Sequence, residues 1–197
     1  AHVQQIAGNA LVWVASADAT DRRTLEARLR DATQHVVIGD PGHVPAGMYA
    51  KQAMQATGLW SEVQPHVVYA ADVRRALGYA VQGEMDLAAV YASDAAGEPR
   101  VRVVHRVDGA LHDAIVYPMA VRDPSIPRIA LWQQWITSPE AQTILASHGF
   151  VPVMGDAPQQ TRDAVAAQAK SGAGGTAVSS VILLSVRVAL LATALIL

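Results

Sequence analysis

Three places in the sequence could hold a ligand, and none of them relies on a charged side chain. Pro45-Ala46-Gly47 opens a helical stretch directly after the turn Asp40-Pro41-Gly42. The first N–H groups of a helix have no intrahelical acceptor and lie at the positive end of its dipole. Small residues at Ala46 and Gly47 leave those donors open to an anion. Asp72-Val73-Arg74 is a second helix start. Asp72 suits an N-cap there and competes for the free donors, so an anion would use the N–H of Val73 or a neighbour. The third is Tyr91, which closes the apolar run 87–91. A phenol at the carboxyl end of an α/β strand can donate into the crevice beyond it. Each place also has an ordinary reading: most helix starts are simply capped, and a strand-end tyrosine is commonly a core-edge residue.

Other chemistries lack their residues. With no cysteine there is no disulfide scaffold, thiolate zinc site or cysteine nucleophile. The seven histidines (His2, His35, His43, His66, His105, His112 and His148) include no pair at the four-residue spacing of a helical zinc site, and they read as solvated or loop residues. Glu84 and Asp86 flank a turn and read as solvent-exposed acids. No Gly-x-Ser-x-Gly elbow supports serine hydrolysis. The glycine run at 172–175 follows no strand and lacks the Lys-Ser/Thr of a phosphate loop. The chain therefore reads as a non-enzyme with no catalytic residue, cofactor or free metal cation. Its 15 basic and 17 acidic residues are scattered, with net charge −2, which argues against a nucleic-acid face.

The elements that must position the donors emerge from hydrophobic pattern. At 197 residues, 51% apolar and 16% charged, the chain has ample material for a core and too little polarity for disorder. Strands are predicted at 10–15, 35–38, 67–69, 87–91, 101–105 and 115–121. Helices are predicted at 24–32, 46–57, 72–82, 124–137 and 138–147. Gly58 and Gly149 stand where the helices before them should stop, and Ser138-Pro139 starts the last one. Strand and helix alternate, which predicts parallel α/β units. Trp132 and Trp135, three apart on a helix, should pack against a sheet.

Residues 1–154 thus form one domain. Residues 155–177 are Gly/Ala/Gln/Ser-rich and read as a flexible linker. Residues 178–197 hold 15 apolar residues out of 20. As a helix this segment would just span a hydrocarbon core of about 30 Å, although an arginine at Arg187 costs roughly 2.5–3.5 kcal/mol at the bilayer centre. It is expected to be a transmembrane helix, with a buried or interfacial helix as the alternative.

The residues converge on a family. Gly39-Asp40-Pro41-Gly42-His43-Val44-Pro45-Ala46-Gly47-Met48-Tyr49-Ala50-Lys51 closely resembles the signature loop and helix of the periplasmic molybdate-binding proteins of ABC importers. The resemblance continues through Gly58-Leu59-Trp60, Ala71-Asp72-Val73-Arg74-Arg75-Ala76-Leu77 and Ala89-Val90-Tyr91-Ala92-Ser93-Asp94-Ala95. It extends to Val116-Tyr117-Pro118-Met119-Ala120-Val121, Ser138-Pro139-Glu140-Ala141-Gln142 and His148-Gly149-Phe150. Gly8-Asn9-Ala10-Leu11-Val12 looks like the strand where such proteins enter their second lobe. Coverage is about residues 6–153.

The resemblance implies an α/β type II periplasmic-binding-protein fold: the second lobe plus the returning C-terminal helices, with the first lobe incomplete and an apolar C-terminal helix. The oxyanion contacts carried over fall on Ala46 and Val73 through backbone N–H and on Tyr91 through its hydroxyl. The family's two first-lobe serines have no counterpart in context; Ser16 and Ser61 are the serines available. The implied function is capture of molybdate or tungstate for import across the bacterial inner membrane. The implied partners are a molybdate permease and its ATPase, in a periplasmic, membrane-tethered setting. Residues 180–197 look like the first membrane segment of the permease. The alternatives are a binder of another tetrahedral oxyanion and a non-binding, membrane-tethered piece of a binding protein–permease fusion.

Overall fold

The computed structural model describes residues 2–153, so the expected linker at 155–177 and transmembrane helix at 178–197 lie outside the described residues. The chain runs β1 (His2–Gly8), β2 (Leu11–Ser16), α1 (Leu25–Leu29), β3 (Val36–Gly39), α2 (Pro45–Ala56), α3 (Trp60–Val63) and β4 (Val67–Ala70). It continues with α4 (Val73–Gln82), β5 (Leu87–Tyr91), α5 (Ala92–Ala96), β6 (Val101–Arg106), β7 (Val116–Val121), α6 (Pro127–Ile136) and α7 (Pro139–Ser147). Among the described residues no helix is long and apolar enough to cross a membrane.

Five strands form one sheet in the order β4-β3-β5-β2-β6, and β1 pairs with β7 in a second, two-stranded sheet. The expectation of parallel units holds only in part. β3 is parallel to β4 and β5, whereas β2 is antiparallel to both β5 and β6. β2 follows β1 of the other sheet through Asn9 and Ala10 and lies between β5 and β6, running opposite to both.

Side-chain alternation sorts the core into two layers. Leu11 and Trp13 of β2, Val36 and Ile38 of β3, and Leu87 and Ala89 of β5 pack with Tyr49, Ala50, Ala53 and Met54 of α2. Their neighbours Val12, Val14, Val37, Ala88 and Val90 face the other way, onto Ala76 and Ala80 of α4. Being covered on both faces explains why β2, β3 and β5 read as continuous apolar runs. A third cluster joins Ile6 and Ala7 of β1 to Ile136 and Leu145, with Trp132, Trp135, Tyr117 and Phe150 against it. The two tryptophans thus do pack on a sheet, the two-stranded one.

The helix starts behave as their sequences require. Thr24, Asp72 and Ser138 each accept from the N–H three residues on, at 3.3, 2.8 and 3.3 Å. β1, α3 and α5 go beyond the sequence expectation: β1 is half polar, and the two helices span only four and five residues. Asp86 keeps a solvent-exposed side chain, as expected, and also accepts the backbone N–H of His35 at 2.7 Å and meets its ring at 3.2 Å. The Asp86 carbonyl receives Arg28 at 2.8 Å, a guanidinium buried under α1.

Three segments cross between the sheets side by side. Gly8 and Val151 exchange backbone hydrogen bonds of 2.7 and 2.9 Å, and the Asn9 N–H donates to the Ile115 carbonyl at 3.0 Å. Gly149, after α7, has φ +83°, and a Cβ there would stand 2.6 Å from the Ala92 carbonyl oxygen. Only glycine fits both demands.

Gly47 supports the sharpest packing prediction. A Cβ on it would sit inside the van der Waals shell of the Gly39 carbonyl oxygen, so backbone itself would have to move. Gly47→Ala is expected to destabilise by about 3 kcal/mol or more, above the ordinary cost of overpacking. Gly78→Ala, in the middle of α4 with nothing within 4 Å of the new methyl, should instead stabilise by up to about 1 kcal/mol. Urea unfolding of the two variants checks the opposite signs.

Candidate functional site

β4, β3 and β5 are adjacent and parallel, so their carboxyl ends lie along one edge of the sheet. The three ends lead to different structures. β3 passes through a tight loop into α2, β4 runs into α4, and β5 ends on Tyr91. Ala46, Val73 and Tyr91 are thereby collected at that edge, the usual ligand position in open α/β sheets. Ala46 belongs to the same core cluster against which Val73 and Tyr91 pack.

The first turn of α2 singles out Ala46. Pro45 has no N–H, and Gly47 and Met48 both give theirs to the Val44 carbonyl at 3.0 and 3.1 Å. Val44, the N-cap, supplies no side-chain acceptor. The Ala46 N–H is therefore the first-turn donor that does not turn back into the helix. Its residue is fully buried, with the N–H at the positive end of a twelve-residue helix. In α4 the donors divide differently. Asp72 takes the Arg75 N–H with its carboxylate and the Ala76 N–H with its carbonyl, at 2.8 and 3.2 Å. The Val73 N–H lies ahead of both.

Tyr91 is largely buried and pairs with Leu11 across β2. Burial pushes its phenol well above the usual tyrosine range, helped by the nearby phenols of Tyr117 and Tyr49 and the charge of Asp94. Tyr117 is pushed up to about 12, again mainly by burial, while a hydrogen bond from Asn9 acts in the opposite sense. Both groups stay neutral O–H donors at physiological pH. An anion meeting them faces donors rather than phenolates.

Sequence reasoning missed part of this neighbourhood. The Asn9 amide donates to Ser93 Oγ at 2.8 Å and to the Tyr117 hydroxyl at 2.9 Å, linking the crossing segment, the start of α5 and β7. Asn9 and Tyr117 stand in stretches that carry the family resemblance, but no spacing rule points from one to the other. Ser16 and Ser61 are not brought in. Ser16 ends β2, five residues beyond Leu11, the partner of Tyr91, and Ser61 is exposed on α3. Among the described residues no group of three His, Asp or Glu side chains could hold a metal ion.

The comparisons point to the same class of protein. The chain is 33% identical over 153 residues to the molybdate-binding protein ModA of Escherichia coli, covering 75% of this chain and 60% of that protein. To ModA of Haemophilus influenzae it is 30% identical over 154 residues, covering 74% and 59%. A solved substrate-binding domain from Clostridium difficile superposes with a TM-score of 0.70 at 25% identity, covering 77% of this chain and 67% of that one. The chain spans about three fifths of the length of these curated relatives. The pattern of the bacterial extracellular solute-binding proteins matches residues 1–151, and the chain belongs to that family.

Proposed function

We propose that this chain binds molybdate, or the closely similar tungstate, for uptake by an ABC importer. The observation that carries the reading is the convergence of three uncharged donors, Ala46 N–H, Val73 N–H and Tyr91 O–H, at the carboxyl edge of β4, β3 and β5. The relatives named for molybdate binding support the choice of anion. An oxyanion offers acceptors only, so each donor finds a partner, and the two helix dipoles favour its charge. The donors ride on a packed backbone and cannot shift to suit a smaller ion. Selectivity over sulfate then rests on spacing, because charge does not distinguish the two dianions. In this reading the importer's permease and ATPase are the partners, the ligand is the only small molecule involved, and the site lies on the periplasmic side.

Three donors on their own make a weak site. Each nets about 0.5–1.5 kcal/mol in water, somewhat more to a charged acceptor, against an association cost of at least about 4 kcal/mol. The 197-residue chain alone is therefore expected to bind molybdate with a Kd in the millimolar range, as isothermal titration will show. A micromolar Kd would mean that these residues enclose the ion without further donors.

When the chain is joined to the N-terminal portion of the Escherichia coli relative, affinity should rise. In that chimera Tyr91→Phe removes one hydroxyl from a charged ligand and should weaken molybdate binding roughly ten- to hundredfold, a loss of about 1.5–3 kcal/mol. Unchanged affinity would exclude Tyr91 from the site.

We further propose that residues 178–197 tether the protein to the membrane. The full chain should then sediment with membranes and resist alkaline extraction, while a version ending at Met154 stays in the supernatant. Recovery of the full chain as a soluble monomer without detergent would refute the tether.

A further inference from the structure

We infer that Tyr117 is a further hydrogen-bond donor to the bound oxyanion and that Asn9 is the positioning residue that turns its hydroxyl outward; this rests on the reading of the site proposed above. Asn9 is 8% exposed and stands at the crossing from β1 to β2. Its Oδ1 accepts the Ala10 N–H at 2.9 Å, which fixes which end of the carboxamide is oxygen. Both protons of its amino group are then committed, one to Ser93 Oγ at 2.8 Å and one to the Tyr117 hydroxyl at 2.9 Å. A hydroxyl that accepts from Asn9 must aim its own proton at a third group. Asn9 thus converts two hydroxyls, which could have donated inward, into outward donors.

The position of Tyr117 says what they are turned toward. Tyr117 belongs to β7, on the two-stranded sheet, and its ring is held edge-on by Phe150 at 5.6 Å between centroids. Asn9 ties its hydroxyl to Ser93, two residues beyond Tyr91, and Leu11, two residues beyond Asn9, is the cross-strand partner of Tyr91. The Tyr117 phenol acts on that of Tyr91, with Tyr49 and Asp94 acting on both. The two tyrosines therefore bring hydroxyls to one neighbourhood from different sheets. An acceptor-only ligand beside Tyr91 completes the sequence Asn9 N–H to Tyr117 O–H to oxyanion oxygen, and each bond in such a chain polarises the next. The Asp94 carboxylate is the local competitor for the same protons, so a donor oriented in advance matters more here than in a site free of acids.

The test is a titration of the full 197-residue chain, carrying ring-labelled tyrosines, with sodium molybdate into the tens of millimolar, followed by NMR. The Tyr91 and Tyr117 ring signals should move with one common midpoint. Tyr117→Phe should raise that midpoint about tenfold or more at Tyr91. Asn9→Asp places acceptors where the amide donated, so it should draw the hydroxyl protons inward and silence the Tyr117 response while the thermal melt is retained. If either variant loses its melting transition, the wild-type signals decide: a Tyr117 signal that stays still while Tyr91 moves overturns the inference. Equal midpoints for wild type and Tyr117→Phe also overturn it and leave the site standing. The absence of any saturable change at either ring in the wild-type chain overturns both the inference and the site.

Discussion

Backbone meets backbone where α2 leaves β3. Gly47, in the first turn of the helix, lies directly over the Gly39 carbonyl that ends the strand, closer than any side chain would allow. Asp40 organises the turn between them. Its carbonyl accepts from His43 and Val44, its carboxylate takes the Gly42 N–H at 2.8 Å, and its own N–H donates to the Ala70 carbonyl at the end of β4. The helix start is therefore fixed relative to the ends of two strands at once. Had the helix stood off by one side-chain diameter, the Ala46 N–H would move with it, and the relation between that donor, Val73 and Tyr91 would be lost.

That constraint shapes the rest of the edge. Parallel neighbours β4, β3 and β5 end at the same level, so the residues just beyond each strand are delivered to the same place. The core on both faces of the sheet holds this arrangement, with small residues where the helices come closest: Ala46, Ala50 and Ala53 on α2, Ala76 and Ala80 on α4. Small contact residues let the helices sit low on the sheet. That in turn lets their first-turn amides reach past the strand ends.

Much of this was legible in the residues, for identifiable reasons. The placement of Ala46, Val73 and Tyr91 at element boundaries is legible because local chemistry marks each boundary: Pro45 at a first helical position, Asp72 as an N-cap, and a tyrosine closing an apolar run. The boundaries of α2, α4, β5 and α7 lie within a residue or so of their expected places because caps and glycines punctuate them. The features that were not legible depend on partners far away in sequence. β1 carries Gln4 and Gln5 and gains its order from pairing with β7, more than a hundred residues on. The antiparallel insertion of β2 rests on its pairing with β5 and β6, some eighty to ninety residues on, which no hydrophobic period records. Asn9 and Tyr117 are 108 positions apart, and a single asparagine carries no periodic signal at all.

The proposed site of neutral donors has a particular physical logic. A lysine or arginine would attract every dianion alike, and its flexible side chain would follow the ligand's size. Backbone N–H groups at the starts of packed helices and neutral, buried phenols supply favourable potential without that freedom. The potential is weaker, so affinity must come from the number of donors and from how little they reorganise when the ligand arrives. Burial serves both ends. It moves the phenols of Tyr91 and Tyr117 still further from ionisation, and it removes the water that would otherwise compete for their hydrogens. The same burial forbids leaving a polar group idle, and here the crossing segment enters. Asn9 satisfies its oxygen locally on Ala10 and directs its two N–H groups to Ser93 and Tyr117. A fully committed amide at the junction of two sheets therefore does two things: it stitches β7 to the start of α5, and it decides in which direction the neighbouring hydroxyls can donate.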